Sequence, residues 1–192
     1  MKIVSLLIAA SLFANGPCFA AWTLDNDTSQ VSFVSVKAGD AGEVHRFTKI
    51  SGGLSANGDA SVIIQLASVD TLIPLRDERM RELLFQTELF PTASLSASID
   101  MDVLGAIEPG DSMDVNANLK LDLRDQQIQL PAEMIVARLG DRKLMVSSRK
   151  PIIVNAASVD LVNGIEALRE AAKLSSISKA VPVSFVLTFE EE

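Results

Sequence analysis

The chain has no tyrosine, and only one tryptophan, one histidine and one cysteine among its 192 residues. Each shortage excludes something. One histidine and one cysteine cannot supply the usual ligand set of a zinc site. A Ser-His-Asp triad would have to be built on His45 alone, and no nucleophile-elbow sequence occurs. A lone cysteine forms no internal disulfide. Eight phenylalanines are nearly all the aromatic bulk there is, so the interior must be filled by aliphatic and small side chains. Basic residues are outnumbered 17 to 25, a net charge of −8. Phosphate backbones need clustered Lys and Arg, so nucleic acid is excluded as a partner. Electrostatic docking onto an anionic bilayer is disfavoured for the same reason. No EF-hand loop, Walker A loop or dinucleotide fingerprint is present. The carboxylate pairs Asp100/Asp102 and Asp122/Asp125 read as a solvated strand face and a hairpin. Nothing in the sequence suggests an environment that would split their pKa values. These absences argue against an enzyme and against a metal centre.

What is present starts with an export signal. Lys2 precedes an apolar run from Ile3 to Phe13, then Asn15-Gly16-Pro17, then Cys18-Phe19-Ala20 with small residues at −3 and −1 of a cut after Ala20. The run is well short of the ~20 residues a bilayer span needs. Residues 1–20 are therefore expected to be a cleaved signal peptide and 21–192 the mature domain, exported to the periplasm. Cleavage removes the only cysteine and leaves roughly 170 residues, enough to build a core without a covalent staple.

Most of that remainder alternates apolar and polar residues, the period of a half-buried strand. Met113, Val115, Ala117 and Leu119 share one face against Asp114, Asn116, Asn118 and Lys120. Ala93, Leu95, Ala97, Ile99, Met101 and Val103 repeat the pattern, as do Val181, Val183, Phe185, Leu187 and Phe189. Further strands are expected over 31–37, 43–50, 60–69, 128–139 and 143–154, with 22–24 a short lead-in. Turn chemistry at Ser51-Gly52-Gly53, Asn57-Gly58-Asp59, Glu108-Pro109-Gly110-Asp111 and Leu139-Gly140-Asp141 joins them as a meander. Two helical interruptions break the pattern. One is 76–85, with Met80, Leu83 and Leu84 at helical spacing. The other is 163–174, with Asn163 as N-cap, Glu166 three residues on, and a stripe of Ile165, Leu168 and Ala172.

The expected fold is all-β: an eight-stranded antiparallel barrel, lipocalin-like, with two short helical insertions covering its ends. Closure removes the exposed edges that a sheet of this size would leave. An eight-stranded interior is either just filled by side chains or holds one small ligand. The inward candidates are small or flexible, so alternation alone leaves both open. If there is a cavity, Phe33, Val62, Ile64, Leu66, Leu95, Ile99, Met113, Val115, Ala117, Met134, Phe185 and Leu187 are the expected lining, provided that this face points inward. The cluster Arg76, Asp77, Arg79 and Arg81 is either a mutually paired helix face or a polar group at the barrel mouth. In the second case Arg76 and Arg79 would meet the head of an apolar ligand.

The order of several segments resembles a known family. Trp22-Thr23-Leu24-Asp25 followed by Ser29-Gln30-Val31-Ser32-Phe33 is similar to the opening strand of the exported YceI-like proteins. Phe47-Thr48-Lys49-Ile50-Ser51-Gly52, Ala67-Ser68-Val69-Asp70-Thr71, Arg76-Asp77-Glu78-Arg79-Met80, Phe90-Pro91-Thr92-Ala93 and Ala180-Val181-Pro182-Val183-Ser184-Phe185 continue the likeness over 22–190. The chain departs from it at the hairpin Leu123-Arg124-Asp125-Gln126-Gln127 and in a longer insertion at 163–174. The resemblance implies a barrel with a long apolar tunnel holding a polyisoprenoid chain, such as a quinone tail, with no catalytic residue and no metal. The function expected is that of a non-enzymatic periplasmic carrier of an isoprenoid lipid. It would take no cofactor beyond that bound lipid or quinone, would not insert stably in the membrane after signal removal, and leaves a homodimer open. The alternative is an interaction protein with a filled barrel, acting through its acidic surface.

Overall fold

The computed structural model describes residues 20–192, with side chains from Trp22 onward. The expected signal peptide lies outside the described residues apart from Ala20, where the first strand begins. Twelve strands follow: β1 Ala20–Leu24, β2 Gln30–Lys37, β3 Ala41–Phe47, β4 Ile50–Ser55, β5 Asp59–Gln65, β6 Val69–Asp70, β7 Thr92–Ser98, β8 Ser112–Leu123, β9 Gln126–Gly140, β10 Lys143–Ser148, β11 Ile152–Asn155 and β12 Ala180–Glu191. Three short helices interrupt them, α1 Pro74–Arg79, α2 Met101–Gly105 and α3 Val162–Ala171. A π-helical turn, Met80–Phe85, continues α1 without a break.

The register reduces twelve strands to eight bent staves. Trp22 pairs with Leu54 where β1 meets β4, and Val31 with Phe47 where β2 meets β3, so β1–β2 and β3–β4 are the halves of two staves. Ile50↔Ile64 and Arg46↔Asp70 join β5 and β6 in the same way, and Val146↔Leu187 and Ile152↔Val183 join β10 and β11. Each stave pairs antiparallel with the next in the chain. The last closes on the first through Leu24↔Phe189 and Val31↔Phe185. The result is a closed eight-stranded antiparallel barrel.

At the bends, side chains satisfy the backbone groups that the ladder abandons. Asn26 Oδ1 accepts from the Ile50 N–H at 2.7 Å, and Ser68 Oγ accepts from the Lys49 N–H at 3.0 Å.

The helices close the ends. α3 lies across the π-helical turn, where a Cβ on Gly164 would stand 2.8 Å from both the Leu83 carbonyl oxygen and Leu84 Cα. Only glycine permits that approach. The π-helical turn drives Phe85 into the barrel, where its ring meets Phe47 at 5.7 Å and Phe33 at 6.5 Å. The β8–β9 hairpin clamps this end. Arg124 donates to the Leu84 carbonyl at 3.1 Å and to Asp160 Oδ2 at 3.4 Å, and lies 4.8 Å over the Phe90 ring. At the opposite end α2 buries Leu104, with Ile107 just beyond it.

Four sequence expectations need correction. The strand begun at Ala93 stops at Ser98. Asp100 caps α2 by accepting from the Asp102 N–H at 3.0 Å, so Met101 and Val103 are helical although the alternation runs on through them. Ser51-Gly52-Gly53 is not a turn but part of β4, and a Cβ on Gly52 would lie 2.1 Å from the Ser61 carbonyl oxygen. The turn runs from Ser55 to Gly58 and is closed by the Gly58 N–H donating to the Ser55 carbonyl at 3.0 Å. Asn163 does not cap α3. Leu161 holds that position without a side-chain cap, and Glu166 instead pairs with Arg169 at 2.7 Å and Lys179 at 3.0 Å. The first helix starts two residues early, because Pro74 supplies a preset helical φ in its first turn.

Candidate functional site

The barrel is not filled. A cavity of about 300 Å³ lies at the end covered by the π-helical turn and α3, and one of about 540 Å³ lies at the end beside α2. Leu95, Leu119 and Phe185 line both, so these three side chains form the waist between the two chambers. Both volumes fall in the range of small-molecule sites.

The first chamber is apolar except at its rim. Its polar lining is confined to Ser35, Lys37, Glu43, Arg76, Arg79 and Ser178. Glu43 is gripped by Lys37 Nζ at 2.8 Å and by Arg76 Nη1 at 2.5 Å. The hydrogen bond from Lys37, helped by the Arg76 charge, holds its carboxyl below the usual glutamate range. Arg76 also donates to the Thr71 carbonyl at 2.7 Å, while its Nε is buried with no acceptor. His45 is 2% exposed behind this rim, with Nε2 2.9 Å from Ser35 Oγ and Nδ1 unpartnered. Burial pushes its pKa down, and the nearby Arg76 charge adds to that. The rim therefore carries three cationic side chains against one carboxylate. Chemically it suits a polar or anionic head attached to an apolar chain.

The second chamber opens through the wall. β7 pairs with β8 only over Ala93–Ser96 and Lys120–Leu123. Beyond that, Ala97–Ser98 and Ser112–Leu119 are not paired with each other. The chamber is lined by the outward residues Ser96, Ser98, Asp114 and Asn116 as well as by the inward Ala97, Val115 and Ala117. A cavity that touches both faces of two neighbouring strands passes between them.

Of the residues singled out in the sequence, Phe33, Ile64, Leu66, Arg76 and Arg79 line the first chamber. Val62, Ile99, Val115, Ala117, Met134 and Leu187 line the second, and Leu95 and Phe185 line both. Met113 does not belong with them. It shares their face, but it lies at the outer end of β8, where β9 pairs with it through Val136 and β7 no longer covers its other side, and it is exposed. The arginine cluster resolves in favour of the mouth: Arg76 pairs across to β3 rather than along its own helix. Sequence reasoning missed Ser35, Lys37 and Glu43 at the rim. It also missed that the apolar stripe of α3, Ile165 and Leu168, lines the first chamber. Among the described residues no group of three or more His, Cys, Asp or Glu side chains is placed to hold a metal ion.

Residues 22–189 match the YceI-like domain. A polyisoprenoid-binding domain from Saccharophagus degradans, implicated in plant cell wall breakdown, is 37% identical and superposes with a TM-score of 0.89 over 91% of this chain and 100% of that one. BcnA of Burkholderia cenocepacia shares the fold at 20% identity, with a TM-score of 0.67 over 86% and 98% of the two chains. The Campylobacter jejuni YceI protein does so at 17% identity and a TM-score of 0.54, over 77% and 84%. Among curated proteins none matches the chain. With the barrel, the two-chambered lumen and the matched domain in agreement, this chain belongs to the YceI-like family.

Proposed function

We propose that the mature protein is an exported, non-enzymatic carrier that holds one isoprenoid-type lipid in its lumen, with the chain along the two chambers and the head at the Arg76 rim. The observation that carries this reading is the hollow lumen: a first chamber that is apolar except at the Arg76 rim, joined at the Leu95–Leu119–Phe185 waist to a second chamber that adds Ser61, Ser96, Ser98, Asp100, Asp114 and Asn116 to an otherwise apolar lining. Each buried methylene contributes about 0.8 kcal/mol, so a chain of several isoprene units binds tightly with few polar contacts. The buried, acceptor-less Nε of Arg76 supports an acceptor on the ligand at that point. The polyisoprenoid-binding description of the Saccharophagus relative supports the ligand class. Periplasmic location rests on the signal-like pattern at residues 1–20. The two cavities argue against the alternative of a filled barrel working only through its acidic outer face.

The test is a titration of the mature protein with a polyprenyl phosphate, a polyprenol and a quinone of similar chain length, followed by displacement of an environment-sensitive fatty probe. Saturable binding of at least one of them, one molecule per chain, is the expected result. Failure of all three to displace the probe overturns the reading.

A further inference from the structure

Beside the rim of the first chamber the chain displays apolar side chains to water. Leu72 is 84% exposed, Val44 68%, Leu75 55% and Ile73 48%. Leu72 also has φ of +62°, a left-handed conformation that a bulky side chain rarely adopts. The surroundings enforce it. Asp70 Oδ1 accepts from the Leu72 N–H at 2.9 Å, and Asp77 Oδ1 accepts from both the N–H and the hydroxyl of Thr71, at 2.8 and 2.5 Å. Arg76 grips the Thr71 carbonyl from the same side. A strained residue persists only where its neighbours over-determine it. Here three charged side chains are committed to holding a leucine out in solvent.

The patch leads inward. Val44 lies on β3 two residues before Arg46, whose partner Asp70 ends β6 two residues before Leu72. Ile73 and Leu75 line the first chamber as well as the surface, so the apolar tip runs directly into the lumen. The charge around it is locally compensated despite the acidity of the whole chain. Glu43 is paired with Lys37 and Arg76, and Asp70 with Arg46 at 2.9 Å. An anionic lipid surface is therefore not repelled at this point, and apolar insertion does not depend on a basic face.

We infer that the Val44–Leu72–Ile73–Leu75 tip is a membrane-docking point. It dips into one face of a phospholipid bilayer and sets the mouth of the first chamber against the lipid tails, so that cargo passes between bilayer and lumen without crossing water. Its purpose rests on the carrier reading, but its test is separable.

The protein is sedimented with mixed phosphatidylethanolamine and phosphatidylglycerol vesicles, and compared with a Val44→Thr, Leu72→Asn double variant. Neither residue lines a chamber, and Asn tolerates the left-handed backbone. The expected result is vesicle binding that survives high salt and falls about tenfold in the variant. Uptake of a polyprenol from vesicles should slow by a similar factor, while loading from detergent solution is unchanged. Equal sedimentation of the two proteins, or none by the wild type, overturns the docking point. A concentration-dependent dimer that the variant abolishes also overturns it, by assigning the patch to a second copy. Loading that fails from detergent in both proteins sinks the carrier reading instead, and leaves the sedimentation result to decide the docking.

Discussion

Ala117 and Ala132 face each other across the β8–β9 ladder on the same inner surface, yet Ala132 is buried at 5% exposure and Ala117 is only half-buried. The next pair repeats this, with Met134 buried and Val115 half-buried. Solvent reaches the lumen from the β8 side, where β7 has parted from it. Replacing Ala117 by Trp places an indole in the second chamber beside this opening. Chain binding should weaken by at least about tenfold, since several methylenes lose their burial. The melting temperature should change by no more than a few degrees, because the side chain enters space that is already empty. Native mass spectrometry and a thermal melt check the two halves. Unaltered loading would mean that the second chamber holds no cargo.

The mouth should discriminate between heads. Arg76→Met keeps the aliphatic stem and removes the guanidinium that meets Glu43 and Thr71. A hydrogen bond to a charged group contributes about 1.5–3 kcal/mol. An anionic polyprenyl phosphate should therefore lose about tenfold or more in affinity, while a neutral polyprenol of the same length changes little. Parallel losses for both ligands would show that Arg76 acts only on the fold.

Gly164 tests the helical lid. A methyl there would meet the Leu83 carbonyl oxygen and Leu84 Cα, both backbone atoms that cannot swing aside. Overpacking of this kind costs about 1–3 kcal/mol. Gly164→Ala should lower the urea midpoint accordingly, and it should loosen the first chamber by lifting α3. A midpoint equal to that of the wild type would contradict the close contact.

His45 makes stability depend on pH. Its folded pKa lies below the unfolded value of about 6.5, since burial and then the Arg76 charge disfavour the proton. The unfolded chain therefore binds the proton first. The contribution of this residue is complete above about pH 6.5 and is lost as pH falls through and below that value. The carboxylates Glu43 and Asp70, also held below their ordinary values, add losses only in more acidic solution. Urea unfolding between about pH 7.5 and pH 5.5 should show stability declining in the wild type and a flatter profile in His45→Gln. Identical slopes would remove His45 from the account.

The eight staves were legible because one face of nearly every strand is buried, and a two-residue period then specifies strand and face together. Of the residues expected to face inward, all but Met113 line a chamber. What could not be read came from short-range chemistry that interrupts a period without altering it. Ile99, Met101 and Val103 continue the alternation of β7, while a single capping carboxylate, Asp100, turns the chain into α2. Gly52-Gly53 looks like a turn because the close approach of β5 to Gly52 demands the same residue as a turn does. The rim of Ser35, Lys37, Glu43 and Arg76 is assembled from the β2–β3 hairpin and a helix some thirty residues away. No local pattern marks such a meeting. The resemblance supplied the tunnel, whereas composition alone could not separate a filled barrel from a hollow one.

A lumen that carries an isoprenoid chain should keep it through purification. Native mass spectrometry of the protein purified from its own cellular compartment, with solvent extraction and identification of any released lipid, reads this out. The expected result is one apolar adduct per chain, whose fragments show isoprene repeats and a polar head. A bare protein mass, together with failure to take up added polyprenyl lipids, would contradict it.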